Sequence, residues 1–102
     1  MQEKTRYLLV EVEFEKPLDE RTAKHLVYEA VLSFLGELGA ARSGVQLKEW
    51  DEEKQNGVLK CKTSMLEETL AALAAKRFFE KKDVAIRLKK ISGTIKGLNA
   101  GM

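Results

Sequence analysis

Asn56-Gly57-Val58-Leu59-Lys60-Cys61-Lys62-Thr63-Ser64-Met65-Leu66-Glu67 decides the fold of this chain. Asn-Gly is the strongest short hairpin signal, because both residues accept the positive φ of a two-residue turn. Alternation follows: Leu59 and Cys61 fall on one face, Lys60 and Lys62 on the other. Val58–Thr63 therefore predicts a strand with one face in the core and one in water. Ser64 and Glu67, three apart, match a capping box, which opens a helix where the strand stops. The stretch reads as turn, strand and helix start.

Working outward, Val45–Asp51 supplies the other hairpin strand, with Val45 and Leu47 inward. The helix from Ser64 runs to about Phe79, with Leu66, Leu70 and Leu73 inward. Asp83–Ile91 is a further strand, turning Val84, Ile86 and Leu88 inward. At the other end, Arg6–Phe14 alternates Leu8, Val10, Val12 and Phe14 against Tyr7, Leu9, Glu11 and Glu13. Pro17 breaks that strand, Asp19 caps a helix to about Leu38, and Gly39 is its stop. Val27, Ala30, Val31, Phe34 and Leu38 form its core stripe, and Gly39–Gly44 a flexible connection. The order strand–helix–strand–strand–helix–strand predicts an α+β, ferredoxin-like sandwich. Its four-stranded antiparallel sheet has order 4-1-3-2, with two helices on one face and a short C-terminal helical turn.

With 102 residues, 44% hydrophobic and 33% charged, the chain suits one globular domain, residues 1–102. Its single cysteine excludes an internal disulfide and a CxxC metal site, and Cys61 reads as a small buried hydrophobe. Met1-Gln2-Glu3-Lys4-Thr5 has no apolar leader core, and no run approaches a membrane span, so a cytoplasmic location with no membrane partner is expected. The net charge of +2 is unevenly distributed. Residues 1–75 carry 10 Lys/Arg against 14 Asp/Glu, whereas residues 76–102 carry 8 against 2. Lys76, Arg77, Lys81 and Lys82 suit a helix C-terminus, but Arg87, Lys89, Lys90 and Lys96 do not.

Ile91-Ser92-Gly93-Thr94-Ile95-Lys96-Gly97-Leu98 follows that basic strand. Ser92, Gly93 and Thr94 predict backbone amides exposed at a helical turn, with Lys96 close by: an arrangement suited to phosphate, and hence to nucleic acid. The open sheet face is expected to carry Tyr7, Leu9, Glu11, Glu13, Lys48, Trp50, Lys60, Lys62, Arg87 and Lys89. Rings among lysines suit base stacking. The third strand nevertheless lacks the rings of an RNA-recognition motif, and Glu11 or Glu13 can pair with Lys60 or Lys62. A second surface lies on the helices, where Arg21, His25, Tyr28, Leu32 and Leu35 form a stripe beside the core stripe. Ala71, Ala72, Ala74 and Ala75 admit close approach of another backbone, so a protein interface is expected there, with Ala71 and Ala75 on it.

No catalytic constellation emerges. His25 is the only histidine, and no Ser–His–Asp or Cys–His arrangement can be drawn. Glu11 and Glu13, about 7 Å apart along a strand, lack a third acid to help hold Mg²⁺. No phosphate-binding P-loop or GxGxxG is present. The residues alone leave three readings open: an RNA-scaffolding protein, a small-molecule-sensing regulatory domain on the same fold, and a magnesium-dependent nuclease using Glu11 and Glu13.

Arg6-Tyr7-Leu8-Leu9-Val10-Glu11-Val12, Leu35-Gly36-Glu37-Leu38-Gly39-Ala40-Ala41, and Val84–Lys90 with Ser92-Gly93-Thr94-Ile95-Lys96 carry a resemblance, joined by Gly57-Val58-Leu59-Lys60-Cys61. Over about Arg6 to Leu98 the chain resembles the protein component 2 family of archaeal ribonuclease P, counterparts of a eukaryotic ribonuclease P and MRP subunit. The resemblance implies a subunit of a ribonucleoprotein that removes the 5′ leader from precursor tRNA. It implies that catalysis and Mg²⁺ belong to the ribonuclease P RNA, with no catalytic or metal-binding residue and no cofactor on the protein. It also implies a TIM-barrel-like partner, ribonuclease P protein component 3, and a homodimer within a heterotetramer. RNA contacts are expected at Arg87, Lys89, Lys90, Ser92, Gly93, Thr94 and Lys96, with Lys60 and Lys62. Relatives often carry a longer basic tail, whereas this chain closes Asn99-Ala100-Gly101-Met102, so Lys89, Lys90 and Lys96 are expected to carry more of that contact.

Overall fold

Ten residues of near-continuous alternation form β1 (Thr5–Phe14), which buries Leu8, Val10 and Val12 on one side. The computed structural model describes residues 4–99. The first three residues read for a leader, and Ala100-Gly101-Met102, lie outside the described residues. Asp19 caps α1 (Glu20–Ser43), its carboxylate accepting the Thr22 amide at 2.8 Å. β2 (Gln46–Asp51) and β3 (Asn56–Lys62) form the hairpin, α2 (Leu66–Ala75) follows a 3₁₀ turn at Thr63–Met65, and β4 (Phe78–Phe79), β5 (Lys82–Ser92) and α3 (Ile95–Asn99) complete the chain.

The ferredoxin-like α+β fold stands, with five antiparallel strands in the order β2-β3-β1-β5-β4. The central four keep the expected arrangement. The extra strand is Phe78–Phe79, read above as the end of a helix. α2 stops at Ala75, where Lys76 turns extended (ψ 114°). Phe79 then pairs with Lys82 across a tight turn through Glu80 and Lys81, both at positive φ. The driving force is burial: Phe79 is 1% exposed, with its ring 5.8 Å from Phe14 and from His25.

Leu8, Val10, Val12, Leu59 and Cys61 from the sheet meet Leu26, Val27, Ala30 and Leu73 from α1 and α2 in the main core. The α1 stripe on the sheet therefore ends near Val31, and the expected core residues Phe34 and Leu38 are exposed. Gly36 explains much of this. Its backbone leaves the helical region (φ 77°, ψ 176°), a conformation open essentially to glycine. The helix bends there, continues past the predicted Gly39 stop, and ends at Ser43 with Gly44 in the left-handed region. Ala40 consequently packs with Val31 and Ala72, half-covering Leu32 and Leu35.

The hairpin also departs from the Asn-Gly reading. Asn56 and Gly57 are the first pairs of β3, opposite Asp51 and Trp50. The turn lies just before them and closes with Gln55 in the left-handed region (φ 55°). A bulge between Leu47 and Glu49 inserts Lys48 and reverses the strand's phase. Trp50 therefore lies on the helix side, not the open face. Its ring covers Gly57, where a Cβ would meet it at 2.9 Å, and its indole N–H donates to the Leu18 carbonyl at 2.9 Å. Ser64 falls in the 3₁₀ turn, and α2 starts without a side-chain cap hydrogen bond.

Candidate nucleic-acid interface

Antiparallel pairing brings the start of β1 beside the ends of β3 and β5. Thr5 opposes Lys62, Tyr7 opposes Lys60 and Ser92, and Leu9 opposes Lys90. A second bulge, between the Leu9 and Val10 pairings, inserts Lys89. Lys60, Lys62, Lys89 and Lys90 thus gather at one end of the sheet with Ser92–Lys96. No Asp or Glu occurs within residues 5–9, 58–62, 89–92 or 95–99. Lys89 and Lys96 are exposed and, among the described residues, have no ion-pair partner; Lys60, Lys62 and Lys90 are half-buried. Arg6 joins this end unforeseen, its guanidinium 4.0 Å from where a Gly93 side chain would begin. The β1–β5 register accounts for it: Tyr7 pairs with Ser92, so Arg6, one residue back along β1, lies beside Gly93.

Arg87 stands apart. Further along β5 it faces Glu11, and its guanidinium grips Glu13 through Nε–Oε1 (3.0 Å) and Nη2–Oε2 (3.2 Å). Both side chains remain more than half exposed, so the pair is screened and weak, but it neutralises Arg87 locally. Lys82 is likewise matched, with Glu15 at 3.2 Å. β1 and the residue after it thus carry a charge gradient, basic at Arg6 and acidic at Glu11, Glu13 and Glu15.

α3 folds back over the open face. Leu98 is 0% exposed against Leu9 and Val58, with Tyr7 and Ile95 packed around them. One of the amides anticipated as an anion cradle is occupied: Ser92 Oγ accepts the Thr94 amide at 3.3 Å, while Thr94 Oγ1 accepts the Gly97 amide at 2.9 Å. Thr94 is therefore a helix cap.

On the helical side, Arg21, His25 and Tyr28 are exposed, and His25 Nε2 lies 3.4 Å from Glu29. Lys76 holds the same carboxylate at 2.6 Å. Leu32 and Leu35 pack half-buried against their own chain, and Ala71 and Ala75 are exposed. Two exposed aromatic residues, Phe34 and Phe78, flank a groove of about 420 Å³ also lined by Ala30, Ala72 and Ala75. Sequence periodicity assigns Phe34 to the core stripe and places Phe78 near the end of a helix, so an exposed groove between them is not expected from the sequence.

Among the described residues, no three His, Cys, Asp or Glu side chains stand close enough to hold a metal ion. No described helix is long and apolar enough to cross a membrane. Burial pushes the Cys61 thiol pKa up, which makes it a poor nucleophile.

A ferredoxin-like sheet with helices on one side defines an α+β domain with a basic surface at one sheet end. The particular family follows from comparison: the Rpp14/Pop5 family matches residues 6–101, and the chain belongs to it. The chain is 35% identical over 98 residues to ribonuclease P protein component 2 of Thermococcus kodakarensis, covering 96% of this chain and 82% of the relative. The Pyrococcus abyssi protein of that name is 32% identical (96% and 83% covered), and the Archaeoglobus fulgidus one 31% (94% and 85%). A chain of yeast ribonuclease MRP, solved by cryo-electron microscopy, shares the fold with a TM-score of 0.71 at 10% identity, covering 92% of this chain and 77% of that one.

Proposed function

We propose that this Rpp14/Pop5 member is the component 2 protein of a ribonuclease P ribonucleoprotein and supports a catalytic RNA in removing the 5′ leader of precursor tRNA. It is a ribonuclease P subunit and part of an RNA–protein complex; the division of labour within that complex is our reading. The observation that carries it is the gathering of Arg6, Lys60, Lys62, Lys89, Lys90 and Lys96 at one sheet end, with Lys89 and Lys96 exposed. Such a surface neutralises phosphates and performs no bond cleavage of its own. Chemistry and Mg²⁺ then belong to the RNA, and the protein needs no cofactor. The groove between Phe34 and Phe78, with Tyr28 nearby on α1, supports a protein partner on the helical side, such as the TIM-barrel-like component 3, with pairs assembling through a homodimer. The location that follows is cytoplasmic.

The test is to tag the chain in its own cell and isolate the particle it enters. The expected particle contains a discrete RNA, trims precursor tRNA at the 5′ end, and loses that activity on nuclease digestion of its RNA. Cleavage by the purified chain alone, abolished by Glu11→Ala, would instead establish the nuclease reading.

A further inference from the structure

Ring placement narrows the kind of RNA this surface takes, given the RNA-binding reading above. The chain has seven aromatic residues other than histidine, and none is exposed at the basic end. Phe14 and Phe79 belong to the core, and Trp50 is turned toward the helices with its N–H bonded to Leu18. Tyr28, Phe34 and Phe78 are exposed but lie on α1 and on β4, which pairs with the opposite end of β5. Only Tyr7 stands among the lysines, half-buried beneath Ile95 and the fully buried Leu98 of α3. Proteins that grip unpaired RNA stack its bases on exposed rings or arginine planes. This surface offers no exposed ring, and its one arginine, Arg6, is half-buried with Nη1 donating to the Thr5 carbonyl at 3.0 Å. What it does offer is polar and mostly cationic: exposed Lys89 and Lys96, half-buried Lys60, Arg6 at the rim, and exposed Thr94. Those groups suit phosphates and 2′-hydroxyls, which base-paired RNA presents while hiding its bases.

We infer that the α3-covered basic end of the sheet binds the sugar–phosphate backbone of base-paired RNA and does not read unpaired bases. Binding is then indifferent to sequence and steep in salt, with each phosphate contact adding about −0.9 to the slope of log K against log salt.

The experiment measures fluorescence anisotropy of the full chain with an RNA duplex of about 16 base pairs and with one of its strands, chosen to be unstructured, across a salt series. The duplex is expected to bind at least about fivefold more tightly, the scale of one lost stacking contact. Tyr7→Leu, which preserves apolar packing beneath α3, is expected to leave both affinities within that factor. Lys89→Gln with Lys96→Gln is expected to flatten the duplex slope by about two. A single strand bound within fivefold of the duplex, or one weakened more than fivefold by Tyr7→Leu, overturns the inference while leaving RNA binding intact. An unchanged slope in the double lysine variant overturns the assignment of this surface. Absence of binding to either RNA at low salt overturns the RNA-binding reading itself.

Discussion

Leu98→Ala tests whether α3 is a structural lid on the sheet. Leu98 is fully buried with Leu9 and Val58 in a cluster separate from the main core. Losing the burial of its outer carbons costs about 2 to 2.5 kcal/mol, at about 0.8 kcal/mol per buried methylene. A cavity term adds to this only if α3 stays docked around the gap. Five residues do not sustain a helix in water, so α3 persists through its packing. The measured loss is therefore capped by the docking free energy: once that is spent, α3 leaves the sheet and further cost stops. Urea unfolding followed by Trp50 fluorescence is expected to show a loss approaching 2 kcal/mol, and hydrogen exchange to show lost protection at Gly97 and Leu98. The same variant uncovers Tyr7, so single-stranded RNA is expected to bind more tightly than to the parent chain. Stability within about 0.5 kcal/mol of the parent, together with unchanged exchange in α3, would refute the lid.

Gly36→Ala is expected to cost about 1–3 kcal/mol in urea unfolding, because a Cβ there meets nothing within 4 Å and the whole penalty is backbone conformation. A neutral or stabilised variant would show that the α1 bend follows from packing and not from this glycine. Hydrogen bonding to Thr22, its side chain foremost and its amide next, holds the Asp19 carboxyl below the usual range. A pKa depressed in the folded state contributes stability above the unfolded value, about 3.9, that is lost as pH falls through the folded value. Asp19→Asn keeps a capping oxygen without the ionisation, so its Tm is expected to fall less between neutral and acid pH; matching acid limbs would remove Asp19 from that account.

Periodicity exposed the architecture because it reports burial, and burial dominates the central strands. Leu8, Val10, Val12, Leu59 and Cys61 were placed correctly, and so was the order of the inner four strands. What escaped were single-residue phase changes. Lys48 and Lys89 each add one residue to a strand, and neither bulge has a local signature, since each answers to its partner strand. One of them turned Trp50 from an expected stacking platform into a roof over Gly57. Gly36 was visible as a residue but not as a bend, because a lone glycine within a helical pattern is usually tolerated. Phe78–Phe79 formed a strand only because Phe79 reached Phe14 and His25, a long-range contact that overrides local helix preference.

Charge at the candidate site was legible in amount but not in distribution. The sequence placed Arg87 with the lysines of β5, whereas register places it opposite Glu11 and in the grip of Glu13. Antiparallel pairing accounts for the sorting: β1 runs from Thr5 to Phe14 and meets β5 head to tail, so its acidic half receives Arg87 and its start, with Arg6, receives Lys90 and the turn toward Lys96. An anion approaching the sheet therefore meets a net positive field at the Lys89–Lys96 end, whereas at the other end Glu13 and Glu15 offset Arg87 and Lys82 and Glu11 adds a further carboxylate. That polarity, with Tyr7 packed beneath α3, is what the inferred preference of the open face for a phosphate backbone over unpaired bases rests on.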